Sequence, residues 1–194
     1  HNISFPTGFK ILFAGNIGAA QDFKTILDTA ERLIKIADIH WIIVGDGRMT
    51  SWVKKEISAR GLTQCFHMMG KYPLDMMPFF FSHSDAMLVT LKREPIFALT
   101  IPGKIQSYLS SGKPLVGCLD GEGQKIIHQA NAGKIAAAED SKGLSENILS
   151  LYNMSNDERV VLGLNGLRFY EENFKKDKLL DKLECWLISL INRS

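Results

Sequence analysis

The chain has 194 residues, 45% of them hydrophobic and 23% charged, the profile of an ordinary globular domain with a sizeable core. A net charge of +2 gives no field strong enough to point to nucleic acid or an anionic bilayer. No apolar run approaches the roughly 18 residues that span a membrane, and no signal peptide is visible. Cys65, Cys118 and Cys185 are scattered, odd in number and without CxxC spacing. They fit a reducing compartment and argue against a disulfide framework or a zinc site.

Strand-like runs alternate with helical patterns along the chain. Lys10 to Ala14 reads as a buried strand ending in Gly15-Asn16-Ile17-Gly18. A helix follows, with Phe23, Ile26, Leu27, Ala30, Leu33 and Ile34 at i, i+3, i+4 spacing. Ile39 to Val44 is the second strand, with Gly45-Asp46-Gly47 as its exit turn, and Trp52, Val53 and Ile57 mark a helix ending near Gly61. Phe66 to Met69 reads as a third strand leading into Gly70-Lys71. A helix from about Leu74 to Ser82 precedes a fourth strand, Ala86 to Val89.

Lys92 to Pro102 is predicted as a loop. A short helix follows, closed by SGKP, and then a fifth strand, Leu115 to Cys118. The turn Asp120-Gly121-Glu122-Gly123 leads to a helix over 124–129 and a weak sixth strand near Lys134 to Ala137. Three helices close the chain: Leu144 to Tyr152, Asp157 to Tyr170 and Leu179 to Ile191. This alternation predicts a Rossmann-like α/β fold, a parallel sheet with helices on both faces, because parallel strands require crossovers. Ligands of such sheets sit outside the carboxyl ends of the strands, and every chemically suggestive segment here falls in those exit loops.

The most informative of these is Thr100 to Gly117, TIPGKIQSYLSSGKPLVG. Pro102-Gly103 opens a helix whose first turn has no Asp or Glu. Free backbone N–H groups and the positive dipole end are left for an anion, with Lys104 beside them. A lysine at a helix start is disfavoured by the dipole and makes better sense beside a bound anion. The segment is a candidate diphosphate site.

In order and spacing, FAGNIG with Gln21, IIVGDGRM, FHMMGKYPLDMMPFFFSHSD, LKREPIFALTIPGKIQSYLSSGKPLVG, DGEG and NAG resemble the C-terminal, nucleotide-sugar-binding half of a GT-B glycosyltransferase. The type is the large retaining family four, and within it the bacterial subgroup that transfers sugars onto lipid-linked carriers in capsule and O-antigen synthesis. The resemblance runs from about Phe13 to Phe174. It implies that Gly15, Asn16 and Gly18 lie near the donor phosphates, that Gly70 and Lys71 border the base, and that Pro102, Gly103, Lys104 and Ile105 receive the diphosphate. Family four usually carries two glutamates separated by seven residues around this helix, the second gripping the ribose. Those positions are Leu99 and Ser107 here. Glu94 is then the nearest carboxylate for the sugar. Asn16 and Gln21 replace the usual cations of the first loop, which makes Lys104 the best-placed positive charge.

Each of these residues has a plainer reading. Gly15 and Gly18 suit any tight strand-to-helix turn, Asp46 suits an N-cap, and Lys71 a solvated loop. Ser107, a candidate donor contact, also suits a helix surface, Glu94 an exposed salt bridge and Asp120 a turn, and Glu122 in the last exit loop is a further candidate donor contact. The five histidines are isolated in sequence and read as structural. The run Met76 to Phe81 reads as core packing. In the final helix Leu179, Leu183 and Trp186 form one apolar stripe, and in GT-B enzymes the chain end packs across to the other domain.

The expectation is a domain of residues 1–194 that binds a nucleotide-diphosphate sugar, UDP-linked by resemblance, with no metal or other cofactor and no nucleic acid. The chain starts at His1 without Met, which suggests an excised domain. By resemblance, the missing N-terminal domain would hold a glycan or lipid-linked acceptor, with placement in the cytoplasm or peripherally on the cytoplasmic face of the membrane. Glu94 and Lys104 are the candidate catalytic residues. The alternatives are a nucleotide-sugar epimerase of the same architecture, which would need a clearer acid/base constellation at the cleft, and a non-catalytic α/β binding module. A receiver-like module would need an acidic cluster where this chain has Gly-Asn-Ile-Gly.

Overall fold

Six parallel strands form one sheet in the order β3-β2-β1-β4-β5-β6, in a computed structural model that describes residues 3–191. The strands are β1 (Phe9–Ala14), β2 (Ile39–Val44), β3 (Phe66–Gly70), β4 (Ala86–Thr90), β5 (Leu115–Cys118) and β6 (Gly133–Ala136). The helices are α1 (Phe23–Leu33), α2 (Thr50–Ala59), α3 (Met77–Ser82), α4 (Pro95–Ala98), α5 (Gly103–Ser110), α6 (Glu122–Gln129), α7 (Ser141–Asn153), α8 (Asn156–Asn173) and α9 (Lys176–Ile191). Each of the six predicted strands is present within one or two residues. His1, on which the expectation of an excised start rests, lies outside the described residues.

Side chains alternate across the sheet and build two cores. Phe9, Ile11 and Phe13 of β1 join Ile39, Trp41 and Ile43 of β2 beneath α1, α2 and α7. Leu12, Ile42, Val44, Met87 and Val89 face the other way, beneath α3, α5 and α6. Burial on both faces explains why the strands read as continuous apolar runs. Phe80, in the methionine and phenylalanine run, is fully buried in the second core, and Met76, Met77, Phe79 and Phe81 pack around it.

Two local expectations are corrected. The Lys92 to Pro102 loop contains α4, started by Pro95 at its first position, where a missing N–H costs nothing. The helix expected from Leu74 begins as a 3₁₀ turn, Leu74–Met76, before α3. The histidines, isolated in sequence, include two that meet in space: His40 Nδ1 lies 3.0 Å from His67 Nε2, and His40 Nε2 lies 3.1 Å from Asp38 Oδ1. β2 and β3 are neighbours, with Ile42 in register with His67. This cluster sits at the amino ends of the strands.

The stripe on α9 faces solvent, with Leu179 47%, Leu183 49% and Trp186 66% exposed. Among the described residues, no helix is long and apolar enough to cross a membrane.

Candidate functional site

Strand order reverses between β1 and β4: the chain steps outward from β1 to β2 and β3, then returns to place β4 on the other side of β1. The crevice at this switch point is where such sheets hold ligands. Two bonds tie its walls together. Thr90 Oγ1 donates to the Gln21 carbonyl at 2.5 Å, and the Lys92 amide donates to the Ala20 carbonyl at 2.9 Å.

On one side of β1 a cavity of about 730 Å³ is lined by Gly15, Asn16, Gly45, Asp46, Lys71 and Leu74, with Val44, Gly47, Tyr72, Pro73 and Met77. The β1 and β2 exits touch there. A Cβ on Gly45, where φ is +139°, would lie 1.9 Å from the Gly15 carbonyl oxygen. Only glycine permits that approach and that backbone angle. The Gly45 amide donates to the Gly70 carbonyl at 2.8 Å, which fixes the β3 exit against the β2 exit.

Asp46 does not cap α2; that position is Met49. Its carboxylate accepts from Thr50 Oγ1 at 2.7 Å and from the Gly47 amide at 2.8 Å, and these bonds hold its pKa below the usual carboxylate range. The group shapes the cavity wall as a turn-forming acceptor.

On the other side of β1, α5 opens at Pro102 with no side-chain cap and no acid in its first turn. The Gly103 and Lys104 amides have no intrahelical partner at that position. The Lys104 side chain folds back over the end of β1. Its Nζ stands 3.7 Å from the centre of the Phe13 ring and 3.3 Å from where a Cβ on Gly15 would lie. The Nζ is buried and makes no hydrogen bond, and burial pushes its pKa down to about 7. Gly15 therefore borders both halves of the crevice, lining the cavity on one side with the amine close by on the other. The other end of α5 is held by Tyr108, whose hydroxyl accepts from the Ala14 amide at 2.8 Å and reaches the Ala14 carbonyl at 3.1 Å.

The remaining expected site residues divide. Asn16 and Lys71 line the cavity; Gly70 does not, although it positions the loop that does. Gly18 donates its amide to Gln21 Oε1 at 3.1 Å and borders a separate hollow of about 200 Å³ with Asp22 and Trp52. Gln21 is thus engaged inside its own turn. Ile105 is wholly buried in the second core and its amide donates to the Pro102 carbonyl at 2.9 Å, so neither its side chain nor its amide is open to a ligand. Ser107 is exposed.

Glu94 is exposed at the start of α4 and, among the described residues, makes no capping bond and no ion pair, so the plainer salt-bridge reading finds no partner there. Its neighbour Arg93 instead lies 3.5 Å from Asp120 and donates to the Ala138 carbonyl at 2.6 Å. Asp120 is more than a turn residue, since its other oxygen accepts the Ala138 amide at 3.0 Å. Glu122 pairs with Lys125 at 2.7 Å. Sequence reasoning missed Tyr108 and the wall Tyr72-Pro73-Leu74. The Tyr108 hydroxyl lies in an apolar helical stripe and gives no signal until its partner on β1 is known.

Several solved structures share this fold. TarM of Staphylococcus aureus, in complex with UDP, matches with a TM-score of 0.79 at 17% identity, over 96% of this chain and 36% of that one. HepE of Anabaena, in complex with UDP, matches at 0.81 and 16% identity over 94% and 49%. The C-terminal domain of the glycosyl transferase LpcC from Francisella tularensis matches at 0.69 and 15% identity, over 87% of both chains. The chain thus spans less than half of TarM and HepE. No sequence among the curated proteins matches it. Residues 8–154, with every strand and both walls of the crevice, match the family model of glycosyl transferases group 1, and the chain belongs to that family.

Proposed function

We propose that this chain is the donor-binding half of a glycosyltransferase that moves a sugar from a nucleotide-diphosphate sugar, UDP-linked, to a glycan or lipid-linked acceptor in surface polysaccharide synthesis. The observation that carries the reading is the proximity of Gly15 and Lys104: a cavity wall and a buried amine without a hydrogen-bond partner lie side by side near the mouth of an uncapped helix. In this reading the base and ribose occupy the cavity between the β1, β2 and β3 exits. The diphosphate lies across Gly15 toward Gly103. UDP in the complexes of TarM and HepE supports the choice of nucleotide.

Departure of a nucleoside diphosphate needs compensation for growing negative charge. The α5 N-terminus, the Gly103 and Lys104 amides and the Lys104 ammonium would supply it without a metal. Glu94, exposed and free of an ion pair at the β4 exit, would face the sugar. An N-terminal domain outside this chain would bring the acceptor and cover the α9 stripe. The intact enzyme would act in the cytoplasm or on the cytoplasmic face of the membrane.

Calorimetric titration with UDP, GDP, UMP and NAD tests the reading. Binding of UDP, weakened for UMP and absent for NAD, is the expected result. Failure of every nucleotide to bind both this chain and a two-domain protein that contains it would refute it. The isolated chain is expected to show little or no transfer; turnover of a nucleotide sugar at enzyme-like rates would contradict the division of labour.

A further inference from the structure

Among the described residues, two side-chain N or O atoms are buried without a hydrogen-bond partner, Lys104 Nζ and Asp22 Oδ2. A buried ammonium with no partner is among the costliest groups a fold can hold, and an apolar side chain of similar length would fill the space over Phe13 more favourably. The position therefore calls for an explanation beyond packing. Lysine has a flexible four-carbon stem and three donors on a rotatable head. It can rest in one place and act in another.

We propose that Lys104 is a stored phosphate ligand: it rests buried over Phe13 without a hydrogen-bond partner, and the diphosphate of an arriving nucleotide draws it out as an ammonium, with uptake of up to one proton from solvent. This rests on the donor-binding reading above and adds to it a proton coupling and a movement. The balance is simple. The amine lone pair accepts a proton from water or buffer, and the resulting ammonium pairs with a phosphate oxygen next to the α5 amides.

The surroundings contain no group already neutralising the amine. On α5 itself, Tyr108 is bonded to Ala14. The β1 exit offers Phe13, the Gly15 backbone and neutral Asn16. At the β2 exit, Asp46 is held by Thr50 and Gly47, and on α6 Glu122 is held by Lys125. At the start of α1, Asp22 makes no ion pair with the amine; its Oδ1 accepts from Thr25. Burial alone accounts for the low basicity of Lys104, near pH 7.

The test is calorimetric titration of UDP into this chain at pH 7, 8 and 9, in pairs of buffers with different ionisation enthalpies. The second ionisation of a phosphate lies near pH 6, so UDP itself exchanges little at pH 8. The expected uptake is partial at pH 7 and rises towards one proton by pH 9, with Kd rising as pH climbs from 8 to 9. The uptake should vanish in Lys104→Met, whose residual binding should not follow pH. Binding of UDP with no proton uptake at pH 8 overturns the proposal and leaves the donor reading standing. Uptake that persists in Lys104→Met also overturns it, because another group would then be titrating. Absence of UDP binding to this chain and to a two-domain protein that contains it removes both.

Discussion

The Tyr108 hydroxyl and the Ala14 backbone form a closed pair: the amide of Ala14 donates to the hydroxyl at 2.8 Å, and the hydroxyl lies 3.1 Å from the carbonyl of the same residue. Through that pair α5 is fixed to the last residue of β1, one position before Gly15. The helix that offers its N-terminus to an anion and the loop that lines the cavity are therefore held as one unit. Tyr108 is only 1% exposed, so water cannot readily replace it.

Tyr108→Phe keeps the ring and removes the hydroxyl. It leaves the half-buried Ala14 amide and carbonyl without that partner, a loss of about 1–3 kcal/mol. For a domain of this size, the expected fall in Tm is roughly 3–10 °C, measured by scanning calorimetry. An unchanged Tm would contradict the closed pair.

Gly45 and Gly61 both have positive φ, +139° and +67°, but differ in their surroundings. A Cβ at Gly45 would meet the Gly15 carbonyl at 1.9 Å, whereas one at Gly61 would meet nothing within 4 Å. Gly61→Ala should therefore cost only the left-handed backbone penalty, about 1–2 kcal/mol. Gly45→Ala must also displace the β1 exit, so it should cost clearly more and distort the cavity. Urea unfolding of both variants measures the difference, and equal destabilisation would rule out the close approach.

The strands were legible because a parallel sheet buries both faces, which turns each strand into an unbroken apolar run such as Ile39–Val44. The exit loops were legible through glycine and the turn residues beside it. Side-chain partners were not. Asp46 looks like a helix cap in sequence, yet α2 begins one turn later and the carboxylate closes its own turn through Thr50. Ile105 sits in a stretch that resembles a diphosphate loop, but helical periodicity carries it into the core. α4 is four residues long, too short for any periodicity to register. The burial of Lys104 depends on Phe13, which lies on a strand far away in the chain, and no local pattern encodes that.

The three thiols should separate by reactivity. Cys185 is exposed on α9, while Cys65 and Cys118 are buried. Burial pushes the pKa of Cys65 up and that of Cys118 up to about 12, so neither forms a useful thiolate near neutrality. One thiol should react quickly with an aromatic disulfide reagent at pH 8 in the folded chain, and three after denaturation. Two or more fast thiols in the folded state would place Cys65 or Cys118 closer to solvent than the structure has them.

Lys104 should also leave its mark on stability in the absence of any ligand. Its pKa falls from 10.5 to about 7 on folding, so between those values the unfolded chain holds one proton more than the folded one. Stability then rises with pH across that window, and below about pH 7 the folded state carries the full cost of a charged buried amine. The cost is on the order of a few kcal/mol. Lys104→Met removes it: the variant should melt higher than the parent at pH 6 and 7, and the gap should narrow steadily as pH is raised to 9. Taking the difference between the two proteins at each pH cancels the titration of every other group. A gap that stays constant from pH 6 to 9 would mean that the amine is charged in the folded state throughout. A protein that becomes more stable on losing this lysine, and binds UDP less well for it, holds the residue for the ligand and against the interest of its own fold.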